Sequence, residues 1–170
     1  TGKLAVNGGK MVLTTFDDPI NAVDGIEING GEVFGSSMVD DGMDSNGSIK
    51  INGGKLFVVG AYPNEAAFDN DGKTFAVNGG TVVGIGYKSD APQASRSAQA
   101  SICVKKTEGV KRFVRIATEE GEEVMRIETP AYGTSTLVCS SPELEKGKTY
   151  VIEVSEDGKK FEELVRLKAE

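Results

Sequence analysis

Ile26-Glu27-Ile28-Asn29-Gly30-Gly31-Glu32-Val33 and Ile49-Lys50-Ile51-Asn52-Gly53-Gly54-Lys55-Leu56 repeat one pattern, and that pattern decides the fold. The triplet Asn-Gly-Gly stands at Asn7, Asn29, Asn52 and Asn78, in steps of 22, 23 and 26 residues, about one solenoid turn each. Three residues before each Asn are Leu4, Ile26, Ile49 and Phe75; one before are Val6, Ile28, Ile51 and Val77; four after are Met11, Val33, Leu56 and Val82. At 38% apolar content, chance fills all twelve positions this way with a probability on the order of 10⁻⁵. The alternation Ile-Glu-Ile and Ile-Lys-Ile has the period of a strand with one dry face. Gly-Gly then permits a positive-φ corner, and Asn tolerates left-handed geometry while offering its amide to the Asn of the next coil. The pattern predicts an all-β chain whose residues 1–88 form about four parallel β-helix coils, the apolar columns merging into one core.

Beyond Tyr87-Lys88 the repeat stops. Residues 89–101, Ser-Asp-Ala-Pro-Gln-Ala-Ser-Arg-Ser-Ala-Gln-Ala-Ser, read as a linker or surface crossing. Runs near 102–105, 112–117, 123–128, 135–140, 149–154 and 161–167 carry strand formers, interrupted by Glu120-Gly121, Lys146-Gly147 and Asp157-Gly158. Residues 102–170 are therefore expected as a small antiparallel β domain that caps the stack, because a solenoid needs a cover over its last coil.

Composition narrows the functional classes. A net charge of −7 argues against nucleic acid and anionic membranes, and no apolar run is long enough to span a bilayer. The absence of His removes the commonest general base and transition-metal ligand. Cys103 and Cys139 both lie in apolar runs, which suits either two small buried hydrophobes or one disulfide between neighbouring strands.

The connections between coils concentrate acid, at 16–25, 40–47 and 64–72. Counted back from the following strands, Asp24, Asn46 and Asp71 share a column, Asp44 and Asp69 another, and Asp17 (with Asp18), Asp40 (with Asp41) and Glu65 a third. Stacked carboxylates about 5 Å apart repel by roughly 1 kcal/mol in water and about 3 kcal/mol at an effective dielectric of 20. A hard dication reverses that sign, and Asp, Asn and Glu oxygens are the ligand set of Ca²⁺ rather than Zn²⁺. The competing reading is that these residues sit in turns because their side chains cap local backbone groups. The spacing is not an EF-hand, since Gly53 stands where the bidentate Glu belongs.

An outward column of Val12, Phe34, Phe57 and Val83 sets Phe34 beside Phe57, either as an aromatic platform for sugar rings or as surface covered by the cap. Tyr62 is a further candidate at a loop edge. Nothing in residues 1–88 resembles a catalytic constellation: there is no Arg before Arg96, and the lysines fall among ordinary outward positions.

The runs Asp40-Asp-Gly-Met-Asp-Ser-Asn-Gly-Ser-Ile-Lys-Ile-Asn-Gly-Gly-Lys-Leu, Asn64-Glu-Ala-Ala-Phe-Asp-Asn-Asp-Gly, Val77-Asn-Gly-Gly-Thr-Val-Val, Ala91-Pro-Gln-Ala-Ser and Ser141-Pro-Glu-Leu-Glu-Lys-Gly-Lys-Thr-Tyr resemble a bacterial family of carbohydrate-binding β-helix proteins. The resemblance implies a right-handed, pectate-lyase-like helix in an exported or cell-surface protein. It also implies calcium on Asp40, Asp41, Asp44, Asn46, Glu65, Asp69 and Asp71, and affinity for plant-type or acidic polysaccharide. Ala66-Ala67 depart from the Asp41-Gly42 of the preceding coil. The expected function is a non-catalytic, calcium-stabilised polysaccharide-binding module; the alternatives are a calcium-dependent polysaccharide lyase and a structural or adhesive surface solenoid.

Overall fold

A computed structural model describes residues 2–105, 110–130 and 134–170; the remaining positions of the expected 1–88 and 102–170 segments lie outside the described residues. Among the described residues every regular element is a strand. The first coil is β1 (Leu4–Val6) and β2 (Lys10–Thr15), the second β3 (Ile26–Ile28) and β4 (Glu32–Ser37), the third β5 (Ile49–Ile51) and β6 (Lys55–Val59), the fourth β7 (Phe75–Val77) and β8 (Thr81–Gly86). The chain is a parallel β-solenoid of four coils joined to an antiparallel sheet.

The register is the one the repeat demands. Leu4, Ile26, Ile49 and Phe75 stack, as do Val6, Ile28, Ile51 and Val77, and Met11, Val33, Leu56 and Val82. Ile26, Ile28, Ile49, Ile51 and Val77 have no exposed surface, because each is enclosed by its own column and by the facing sheet. At each corner the second Gly is left-handed; a Cβ on Gly54 (φ 83°) would lie 2.6 Å from the carbonyl oxygen of Gly31 one coil below. Beside it the Asn amides form a ladder, Asn29 Nδ2 donating to Asn7 Oδ1 at 2.8 Å, Asn52 to Asn29 at 2.8 Å and Asn78 to Asn52 at 2.9 Å. Outward columns alternate in charge: Glu32 lies 3.6 Å from Lys10 and 3.5 Å from Lys55, and Glu27 lies 2.6 Å from Lys3 and 4.0 Å from Lys50.

Residues 89–101 run along the top of the fourth coil. The amides of Asp90, Gln93 and Gln99 donate to the carbonyls of Phe68, Phe75 and Val77, at 2.8, 2.9 and 3.0 Å. Ser97 Oγ accepts the Val77 amide, and the Ala98 amide ends the Asn ladder on Asn78 Oδ1 at 3.2 Å.

The second half supplies β9 (Ser101–Lys105), β10 (Phe113–Thr118), β11 (Glu123–Glu128), β12 (Thr136–Ser140), β13 (Thr149–Ser155) and β14 (Glu162–Lys168), close to the runs read from sequence. Two of these do not join their neighbours. β12 pairs antiparallel with β8 and carries β9 on its far side, so one six-stranded sheet runs β2-β4-β6-β8-β12-β9. This closes the last coil's edge, which would otherwise offer unpaired amides and carbonyls. The other four form the sheet β11-β10-β13-β14 and pack on the outer face of the six-stranded sheet.

The shared sheet thus has a core on each face. Val58, Val82 and Val138 point into the solenoid, while Val59, Val83, Ile85, Leu137 and Cys139 meet Val114, Ile116, Ile152 and Val154 of the antiparallel sheet. Alternation along paired strands also separates the cysteines. Cys103 sits opposite Val138 and packs on the solenoid side; Cys139 sits opposite Ile102 and faces the other core. Both are free thiols, since neighbouring residues on opposite pleat faces cannot bring their Cβ atoms to disulfide distance.

Candidate functional site

The antiparallel sheet covers only part of the outer face, and what it leaves open is the floor of a groove. Along the outward row, Val83 is buried, Phe57 and Phe34 are half-buried, and Val12 is 65% exposed. Phe34 and Phe57, adjacent on β4 and β6, lie with ring centroids 5.6 Å apart and planes 19° from parallel. Two open hollows of about 460 and 520 Å³ share these rings. Lys10, Glu32 and Lys55 line the first, where the strands begin; Ser36, Arg112, Glu128, Thr129 and Pro130 line the second, against the antiparallel sheet. Arg112 donates to Glu128 Oε1 through both Nε (3.0 Å) and Nη2 (2.7 Å). Each ring spends one face on the other, so a ligand meets their edges and the Val12 side of Phe34. Tyr62 is not part of this floor: it lies at the next corner, 6.0 Å from Tyr87 in an edge-to-face pair, both rings more than two-fifths exposed.

The acidic loops divide into two kinds of carboxylate. Asp18 Oδ1 accepts the amide of Asp41 one coil above at 3.0 Å, and Asp41 Oδ1 accepts the amide of Ala66 one coil further at 2.5 Å. These acids staple coil to coil, satisfying N–H groups that the loop cannot pair by itself. Ala66, which lacks a carboxylate where the lower coils have one, is where the staple ends. Asp41 is 7% exposed, and burial, with repulsion from Asp69 and Asp40, pushes its carboxyl up to about 6. Burial also raises Asp18, aided by Asp40, and raises Asp44, aided by Asp18 and Asp69.

The neighbouring column is different. Among the described residues no group donates to the carboxylates of Asp17 and Glu65, though Thr15 Oγ1 donates to the Asp17 backbone carbonyl, and Asp40 uses one oxygen on the Asp41 amide at 3.0 Å. Oxygens of Asp17, Asp18 and Asp40 lie within 4.8 Å of one another, as do those of Asp40, Asp41 and Glu65. As a donor set for a hard dication the second group fits better, because Asp18 already has both oxygens engaged, on the Asp41 amide and Asn21 Nδ2. Asp44 bridges in parallel to Asn21 and to Asp69, and its Oδ2 accepts Asn21 Nδ2 at 3.0 Å. Asp24, Asn46 and Asp71 stand apart: Asn46 Nδ2 donates to Asp71 Oδ2 at 3.0 Å on the surface, and the Asp24 backbone abuts Gly47.

Sequence reasoning missed the groove's second wall, Arg112, Glu128 and Pro130, since it is joined to Phe34 and Phe57 only by the way the sheets pack. One signal was present. Val58-Val59 and Val82-Val83 are apolar on consecutive residues, the mark of a strand buried on both faces, whereas Thr14 and Ser36 keep the outward positions polar on the open strands. Compared with known proteins, the sequence matches no family model, and neither a curated protein nor a solved structure matches it.

Proposed function

We propose that this chain binds polysaccharide without cleaving it, along the groove over Phe34 and Phe57, as part of an exported or cell-surface protein whose acidic loops are braced by calcium. The observation that carries the reading is an apolar aromatic floor shared by two open hollows, each with donors and acceptors on its wall, which matches the C–H faces and hydroxyls of a sugar chain. The groove's carboxylates, Glu32 and Glu128, are both exposed and ion-paired, which favours holding a ligand over donating a proton to one. Calcium is supported by the donor chemistry of Asp40, Asp41 and Glu65, with Asp17 and Asp18 below them; Asp44, Asp69, Asp24, Asn46 and Asp71 contribute through turns and coil contacts.

The test is a titration of soluble polygalacturonate and a cellulose pulldown, each in calcium and in chelator, with Phe34→Ala as the control. Binding weakened about tenfold by that variant supports the groove. No binding of any glycan under either condition ends the proposal, and accumulation of unsaturated uronide would replace it with the lyase. A second reading, a structural or adhesive solenoid, is favoured by the Asp18 and Asp41 staples, which give acid loops a purely architectural purpose.

A further inference from the structure

Where β2, β4, β6 and β8 end, every coil turns a large apolar side chain to solvent. Phe16 is 70% exposed, Met38 66%, Val39 47%, Tyr62 46% and Tyr87 42%. They are neighbours across coils, not scattered singles. The Met38 and Val39 amides donate to the Thr15 and Phe16 carbonyls, the Ala61 amide beside Tyr62 donates to Asp40, and Tyr62 meets Tyr87 ring to ring. With coils about 4.8 Å apart, the ridge crosses four coils and is about 14 Å long. Isolated exposed hydrophobes need no explanation, but a contiguous row is the mark of an interaction surface.

Immediately beside this ridge runs the column of Asp17, Asp40 and Glu65. The groove over Phe34 and Phe57 has cations at both ends; the ridge offers aliphatic and aromatic surface with carboxylates along the flank of its first three coils and Lys88 at the fourth. Phe16, Met38 and Val39, three of the five ridge side chains, have no hydrogen-bonding group for hydroxyls, and the carboxylates repel an anionic lipid surface or a second copy of this chain at net charge −7. What complements the ridge is a polypeptide segment that brings apolar side chains and positive charge together. We propose that this corner docks a partner protein through a segment in which Lys or Arg alternates with apolar residues. The inference uses neither groove nor sugar, but its acidic flank is the same set of carboxylates proposed above for calcium, so it concerns the metal-free chain.

The test is fluorescence titration of the full chain, in chelator at low salt, with three capped synthetic peptides: alternating Lys/Val, alternating Lys/Ser and alternating Glu/Val. The Lys/Val peptide is expected to bind about tenfold tighter than Lys/Ser, since burying part of two large side chains supplies that difference, and tighter than Glu/Val, which the carboxylates repel. Phe16→Ser combined with Met38→Ser, both at exposed positions, should reduce Lys/Val to the Lys/Ser affinity while leaving the melting temperature unchanged. Asp17→Asn combined with Asp40→Asn should weaken both lysine peptides. Equal affinity for Lys/Val and Lys/Ser, a Lys/Val preference that survives loss of Phe16 and Met38, or equally tight Glu/Val binding would each overturn the proposal. The Phe16 and Met38 outcomes leave the groove untouched, and glycan affinity is read separately through Phe34→Ala.

Discussion

Replacing Asp41 with Asn tests the account of the acidic loops most directly. Its carboxylate is 7% exposed, accepts the Ala66 amide at 2.5 Å, and is raised by burial first and by Asp69 and Asp40 after it, from 3.8 to about 6. Below about pH 3 the group is neutral in both folded and unfolded chains and costs nothing. As pH rises from about 4 to about 6 the unfolded chain releases the proton first, so stability falls across that window and stays lower above it. The difference, at 1.36 kcal/mol per unit, is about 3 kcal/mol as an upper figure. Asn keeps an oxygen for the Ala66 amide and turns an NH₂ toward a region of carboxylates, so the metal-free variant should gain about 1–3 kcal/mol at pH 7.5 and almost nothing at about pH 3. On the proposed calcium reading, the ion at 100 times its dissociation constant should add about 2.7 kcal/mol to the wild type, and the variant should lose most of that gain. Urea denaturation at both pH values, in chelator and in calcium, reads all of these quantities. A variant less stable than wild type at pH 7.5 in chelator would refute the burial argument, and an undiminished calcium response would remove Asp41 from the ligand set.

Gly54→Ala should cost at least about 2 kcal/mol in urea unfolding, because φ 83° penalises any Cβ and the Gly31 carbonyl stands 2.6 Å away. Alkylation of the denatured, unreduced protein should label two thiols by mass, with neither Cys139 nor Cys103 labelled quickly in the native state; no labelling after denaturation would contradict their placement on opposite sheet faces. Asn52→Asp, which loses the donor to Asn29 at 2.8 Å and sets two acceptors face to face, should destabilise by about 1–2 kcal/mol at pH 7 and less at pH 3, read by thermal melts; equal melts at pH 7 would show the ladder to be ornamental.

How much of this was legible follows from how local each cause is. The coil register was readable because Ile28, Ile51 and Val77 each sit one residue before an Asn-Gly-Gly corner, and a one-residue slip would turn every apolar column to water. The strands of the second half were readable from β-formers between Gly turns. The grouping of Asp17, Asp40 and Glu65 was readable because stacked coils carry equivalent residues over one another, but which acids meet an amide was not. Asp18 and Asp41 are stapled and Asp17 is not, a distinction set by one step of backbone direction within a loop.

By itself the sequence determined the solenoid, since its period and its corners are written in neighbouring residues. Only the tertiary structure decided that β12 and β9 extend the solenoid's own sheet while β10, β11, β13 and β14 fold onto that sheet's outer face. The pairing of Leu137 with Ile85 joins residues 52 apart, and a strand buried on both faces, as β12 is, reads the same whichever neighbours bury it. The groove over Phe34 and Phe57 exists because that cover stops short of β2 and β4, and where a sheet stops is settled by packing rather than by any local pattern.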